Sequence, residues 1–102
     1  MNQAFLVMYR PGPAWLVGQP ISAQPLQAHG RFLLALYRKG QLRLAGPFSD
    51  NAGRALVLEA PDECQARILV DTDPAVIDAV FTYELHPWSL VPWERYLSRP
   101  EM

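Results

Sequence analysis

Two titratable residues occupy positions that a soluble domain normally fills with hydrocarbon. His29 falls in the middle of the apolar stripe of a predicted helix. Asp73 comes seven residues after Ala66 and continues the inward face of a second predicted helix to its end. If both helices pack on one side of a sheet, the two side chains can meet over it. A carboxylate bonded to one ring nitrogen fixes the imidazole tautomer and strengthens the other nitrogen as a base, which is the preparation general acid–base catalysis requires. Two plainer readings stand beside this one. An aspartate before proline caps the following turn, and an inward histidine can be a core residue with its hydrogen bonds satisfied.

Other chemistry finds less support. His86 shares the Glu84 side of a predicted strand and reads as half of a surface pair. Two histidines and one cysteine, without ligand spacing, predict no metal site. Cys64 lies in the first turn of a helix with no histidine nearby in sequence and reads as inert packing. No glycine-rich phosphate loop occurs, and no serine sits in a nucleophile elbow. Trp15, Trp88 and Trp93 read as cover for apolar surface.

The elements that must position the pair follow from periodicity. Residues 3–9 are apolar on both alternating sets, Phe5/Val7/Tyr9 and Ala4/Leu6/Met8, which predicts a strand buried on both faces. Residues 10–25 carry prolines at 11, 13, 20 and 25 and form a long loop, the kind that becomes a lid or binding loop. With Pro25 in its first turn, a helix over 26–40 aligns Leu26, His29, Gly30, Leu33, Leu36 and Tyr37, and Gly40 closes it. Residues 41–46 alternate as a half-exposed strand, with Leu42, Leu44 and Gly46 on one side. After a turn at 49–53, residues 54–60 are again apolar on both sets. Asp62 caps a second helix whose inward positions are Ala66, Leu69 and Val70, and Pro74 stops it by Asp73. A short turn over 74–78 leads to a fourth strand, 79–86, with Phe81, Tyr83 and Leu85 on one side.

The order β-α-β-β-α-β predicts a ferredoxin-like α+β sandwich with the first and third strands central. Two helices cover one face only. The second face of the central strands is apolar too, so a second copy of the chain is expected to cover it as a homodimer.

Composition agrees. At 102 residues the chain is one domain; half the residues are hydrophobic and 19% are charged. Net charge is −1, without the basic footprint that nucleic acid requires. No apolar run is long enough to cross a membrane, no signal peptide is evident, and a lone cysteine fits a cytoplasmic location.

Gly12-Pro13-Ala14-Trp15, Gly18-Gln19-Pro20, Gln24, His29, Gly40, Gly46-Pro47-Phe48, Asp73-Pro74-Ala75-Val76 and His86-Pro87-Trp88 occur in that order. Together they resemble the YCII-related (YciI-like, DGPF) family of small dimeric α+β proteins, from about residue 5 to residue 91. The resemblance implies a ferredoxin-like domain over residues 1–91 that dimerises through sheet faces, in the manner of a dimeric α/β barrel. It also implies that His29 and Asp73 are the active-site pair. One branch of the family includes a dehydrochlorinase acting on chlorinated hydroxyhydroquinones, and the fold is similar to that of muconolactone isomerases. The chain departs from many relatives at Ala75, where an aromatic residue is frequent, and in residues 92–102, expected to form an irregular tail.

Two functions are therefore expected as alternatives. The first is a cofactor-free enzyme, a lyase or isomerase moving protons on a small cyclic or phenolic molecule. His29 would be its general base or acid, Asp73 the orienting partner, Trp15, Pro47 and Phe48 pocket walls, and Gln24 a bond to a polar substituent. The second is a non-catalytic dimeric module that binds a small molecule or docks a partner. An open pocket beside His29 would favour the first, and a sealed histidine the second.

Overall fold

The computed structural model describes residues 2–97. Strand β1 (Gln3–Pro11) buries Phe5, Val7 and Tyr9 completely on one face and leaves Leu6 and Met8 half-buried on the other. It pairs antiparallel with β3 (Arg54–Ala60) on one side and β4 (Phe81–Trp88) on the other. Strand β2 (Leu42–Pro47) completes the sheet order β2-β3-β1-β4. The doubly apolar strands are thus the central ones. The fold is the expected ferredoxin-type α+β arrangement.

Helices α1 (Gln27–Arg38) and α2 (Glu63–Asp71) lie on one face of the sheet. Their buried residues His29, Leu33 and Leu36 from α1, and Ala66 and Val70 from α2, meet Phe5, Val7, Leu56 and Leu58. Each large side chain buried here contributes about 1.5–3 kcal/mol. Helix α1 starts after Leu26, so Pro25 precedes it and does not open its first turn. Gly30 and Tyr37, expected on the inward stripe, are exposed, because the buried stripe narrows to positions three and four apart. The helix ends on Gly40 at φ +74, with Gly40 N–H donating to Tyr37 O and Gln41 N–H to Leu36 O. Asp62 accepts from the Gln65 backbone N–H at 2.8 Å and caps α2.

Three further expectations change. Residues Pro74–Ile77 form a one-turn helix, α3, where a turn was expected. Its end is a complete left-handed cap: Ala79 at φ 60 donates to Val76 O, and Val80 donates to Ala75 O. Strand β4 consequently begins at Phe81, two residues late, and continues through Pro87, which an edge strand tolerates. In β2, a register shift between Leu42 and Leu44 sends them to opposite faces. Leu42 pairs with Leu58 and is buried; Leu44 pairs with Val57 and is exposed on the open face. Trp93–Tyr96 is a short 3₁₀ turn within the expected tail, and 98–102 lie outside the described residues.

The face without helices carries Leu6, Met8, Leu44, Val57 and Trp88, of which Leu44 is 68% exposed. At its β4 edge, Glu84 holds Arg10 at 3.4 Å and His86 at 3.5 Å, the surface pairing expected of His86.

Candidate functional site

The site is assembled by three elements that are distant in sequence. His29 comes from the first turns of α1, Asp73 from the joint between α2 and α3, and Tyr9 from the end of β1. Pro74 holds Asp73 in an extended conformation, φ −64 and ψ 124, which ends α2 and swings the carboxylate inward. The carboxylate is completely buried, and His29 is 1% exposed.

Three donors converge on that carboxylate. His29 Nδ1 lies 2.7 Å from Oδ2, and the Tyr9 hydroxyl donates to the same oxygen at 2.8 Å. The Ala75 backbone N–H donates to Oδ1 at 2.9 Å. Asp73 therefore caps α3 and holds His29 Nδ1 at once. Because the carboxylate can only accept, Nδ1 carries a ring hydrogen, and in the neutral imidazole Nε2 is then the nitrogen with the lone pair. Nε2 is buried and has no hydrogen-bond partner among the described residues. A buried polar atom left without a partner costs about 1–3 kcal/mol.

Aromatic rings fix the imidazole plane. Tyr9 and Phe81 meet it edge-to-face at centroid distances of 5.3 and 5.4 Å. Trp15 packs on the far partner, Phe81, at 5.7 Å. Burial, and then the Asp73 charge and its hydrogen bond, push the Tyr9 hydroxyl far above the ordinary tyrosine range, so it stays a donor.

Beside this cluster lies a cavity of about 400 Å³. Ile21, Ser22, Leu26 and Gln27 line one side, and Pro47 and Arg54 the other. Pro47 is the expected wall residue that borders it. Gln24 borders it too, but its amide is committed to the loop: Oε1 accepts from Leu16 N–H at 2.7 Å, and Nε2 donates to Leu16 O and Gln19 O. Both of its N–H groups are thus spent on closing residues 16–24, so Gln24 positions the loop in place of the expected bond to a substituent. Phe48 sits elsewhere, in a recess with Met8 and Arg10 on the other side of the sheet. Trp15 covers Phe81 and does not line the cavity. Cys64, expected to pack, is exposed.

Tyr9 and Arg54 were absent from the sequence-derived site. Tyr9 is one of three inward residues of an apolar strand, and nothing local distinguishes its hydroxyl. Arg54 opens a strand and resembles any solvated strand end.

The model of the YCII-related domain matches residues 1–89. The chain belongs to the YCII-related family. Among solved structures, this YCII-related domain is similar to 5-chloro-2-hydroxyhydroquinone dehydrochlorinase (TftG) from Burkholderia phenoliruptrix AC1100, in complex with 2,5-dihydroxybenzoquinone. The match has a TM-score of 0.60 and 23% identity over 86% of this chain and 95% of that one, a likeness of fold. No curated protein matches this YCII-related domain.

Proposed function

We propose that this YCII-related domain is a cofactor-free lyase or isomerase that moves protons on a small cyclic or phenolic molecule. The observation that carries the reading is the asymmetry of His29: Nδ1 is fixed by a completely buried carboxylate, while Nε2 has no partner among the described residues. Nε2 takes a proton from a hydroxyl or an acidic carbon of the substrate, and the freed electron pair forms a new C=O or C=C bond. Asp73 stabilises the imidazolium so formed. In a lyase the leaving group departs with its bonding pair; in an isomerase the imidazolium returns the proton at another carbon. Pro47 and the loop held by Gln24 form the binding walls in this reading, with Trp15 backing Phe81.

The protein acts as a homodimer in this proposal. The open face supports it: Leu6, Leu44, Val57 and Trp88 border one shallow apolar depression that a second copy would fill. The lone exposed thiol of Cys64 suits a reducing, cytoplasmic setting.

One observation favours the second reading, a binding module. His29 is sealed and does not border the cavity, so substrate reaches Nε2 only after side chains around the ring move. The test is solvent-deuterium incorporation, followed by NMR, into a panel of hydroxyquinols, hydroxyquinones and unsaturated lactones. The enzyme reading expects incorporation or elimination in the wild type and none in His29→Ala or Asp73→Asn. A compound that binds tightly yet never exchanges would make this a binding module.

A further inference from the structure

Arginine usage in this chain is uneven. Arg10 and Arg67 each hold a glutamate, at 3.4 and 3.1 Å, on the surface. Arg54 holds none: among the described residues no carboxylate lies within ion-pairing distance, and its Nε is buried without a hydrogen-bond partner. It shares this condition with His29 Nε2 alone among the described side chains.

Register fixes where Arg54 stands. It is paired with Tyr9 across β1/β3 and with Pro47 across β2/β3. Paired residues share a face, so Arg54 lies on the helix side of the sheet, beside the tyrosine that holds Asp73. Among the described residues it is also the one cationic side chain lining the 400 Å³ cavity, whose other walls include Leu26, Pro47, Ser22 and Gln27.

We infer that Arg54 is the anchor for an anionic oxygen, a carboxylate or a phenolate, on a small and otherwise apolar ligand of this cavity. An unpaired, partly desolvated guanidinium is costly, and a charge-assisted, forked pair with an anion recovers that cost. Burial pulls the Arg54 pKa down from its ordinary value, and the Tyr9 and Asp73 oxygens offset only part of this. The cavity has the volume of a single-ring ligand site, and its walls are mostly apolar, as such sites are. Anchoring is independent of the dyad's chemistry. The further statement, that the substrate of the proton transfer is an anion, rests on the proposed function.

Calorimetric titration with benzoate, 2,5-dihydroxybenzoquinone and neutral benzamide tests the anchor and separates its two oxygen classes. At least one anionic probe should bind the wild type about tenfold or more tightly than benzamide does. Arg54→Gln should weaken that anion about tenfold or more, Arg54→Lys should restore part of it, and Arg31→Gln, an exposed arginine on α1, should change nothing. Equal binding of benzoate and benzamide to the wild type, equal anion binding by Arg54→Gln, or no binding of either anion overturns the inference. The wild-type comparison stands even if Arg54→Gln folds poorly. Anion binding lost in Arg54→Gln, with no His29-dependent deuterium exchange, would keep the anchor and remove the proton-transfer reading. Exchange that survives in Arg54→Gln with unchanged affinity would do the reverse.

Discussion

The Tyr9 hydroxyl donates to Asp73 Oδ2 at 2.8 Å across a sequence separation of 64 residues. The same oxygen holds His29 Nδ1, so a strand, a helix and an interhelical joint are tied through one atom. Removing Asp73 strands two buried donors and uncaps α3, whereas removing the hydroxyl of Tyr9 strands nothing. Asp73→Ala should therefore cost about 3–5 kcal/mol, and Tyr9→Phe about 1 kcal/mol, in urea unfolding. Equal costs would mean that the carboxylate does not organise the cluster.

Tyr9 also sets an alkaline limit. Its folded pKa is raised by burial first and by Asp73 second, above an ordinary value of 10.0. Below pH 10 both folded and unfolded chains keep the proton and no stability depends on pH through this group. Above it the unfolded chain releases a proton that the folded chain retains, so stability falls with rising pH, by about 1.4 kcal/mol per unit for one tyrosine. Unfolding measured at about pH 9 and about pH 11 should show this loss in the wild type and a smaller one in Tyr9→Phe. The residual slope belongs to Tyr83, which burial and Asp71 shift in the same direction.

Two backbone positions give opposite outcomes. Ala79 occupies the left-handed cap of α3 at φ 60, a conformation that costs an L-residue about 1–2 kcal/mol. Ala79→Gly should stabilise the domain by about 0.5–1 kcal/mol, visible as a higher melting temperature. Gly53 sits at φ +136, and a Cβ there would lie 2.0 Å from the Tyr9 carbonyl oxygen. Gly53→Ala should destabilise by well over 1 kcal/mol and disturb the strand that carries Tyr9.

The open sheet face offers a test of assembly. Sedimentation at micromolar concentration should give twice the mass of one chain. Leu44 is 68% exposed in the single chain, so Leu44→Asp should cost less than about 1 kcal/mol in the monomer fold while breaking the dimer. A wild type that sediments as a stable monomer would leave that face to some other cover.

What the sequence determined is what short-range sterics encode. Two apolar alternating sets marked β1 and β3 as central, Gly40 ended α1, Asp62 opened α2, and Pro74 forced Asp73 out of the helix. Those signals place His29 and Asp73 on inward faces, because side-chain direction follows directly from helix and strand period. Which inward groups touch is a different matter, set by register and by how helices seat on the sheet. The Leu42/Leu44 register shift, the meeting of Tyr9 with Asp73, the commitment of Gln24 to its own loop, and the removal of Phe48 to the opposite side are of that kind. So is the placement of Arg54 beside Tyr9. Each depends on closing the chain over tens of residues, and no local pattern records the atom at the other end.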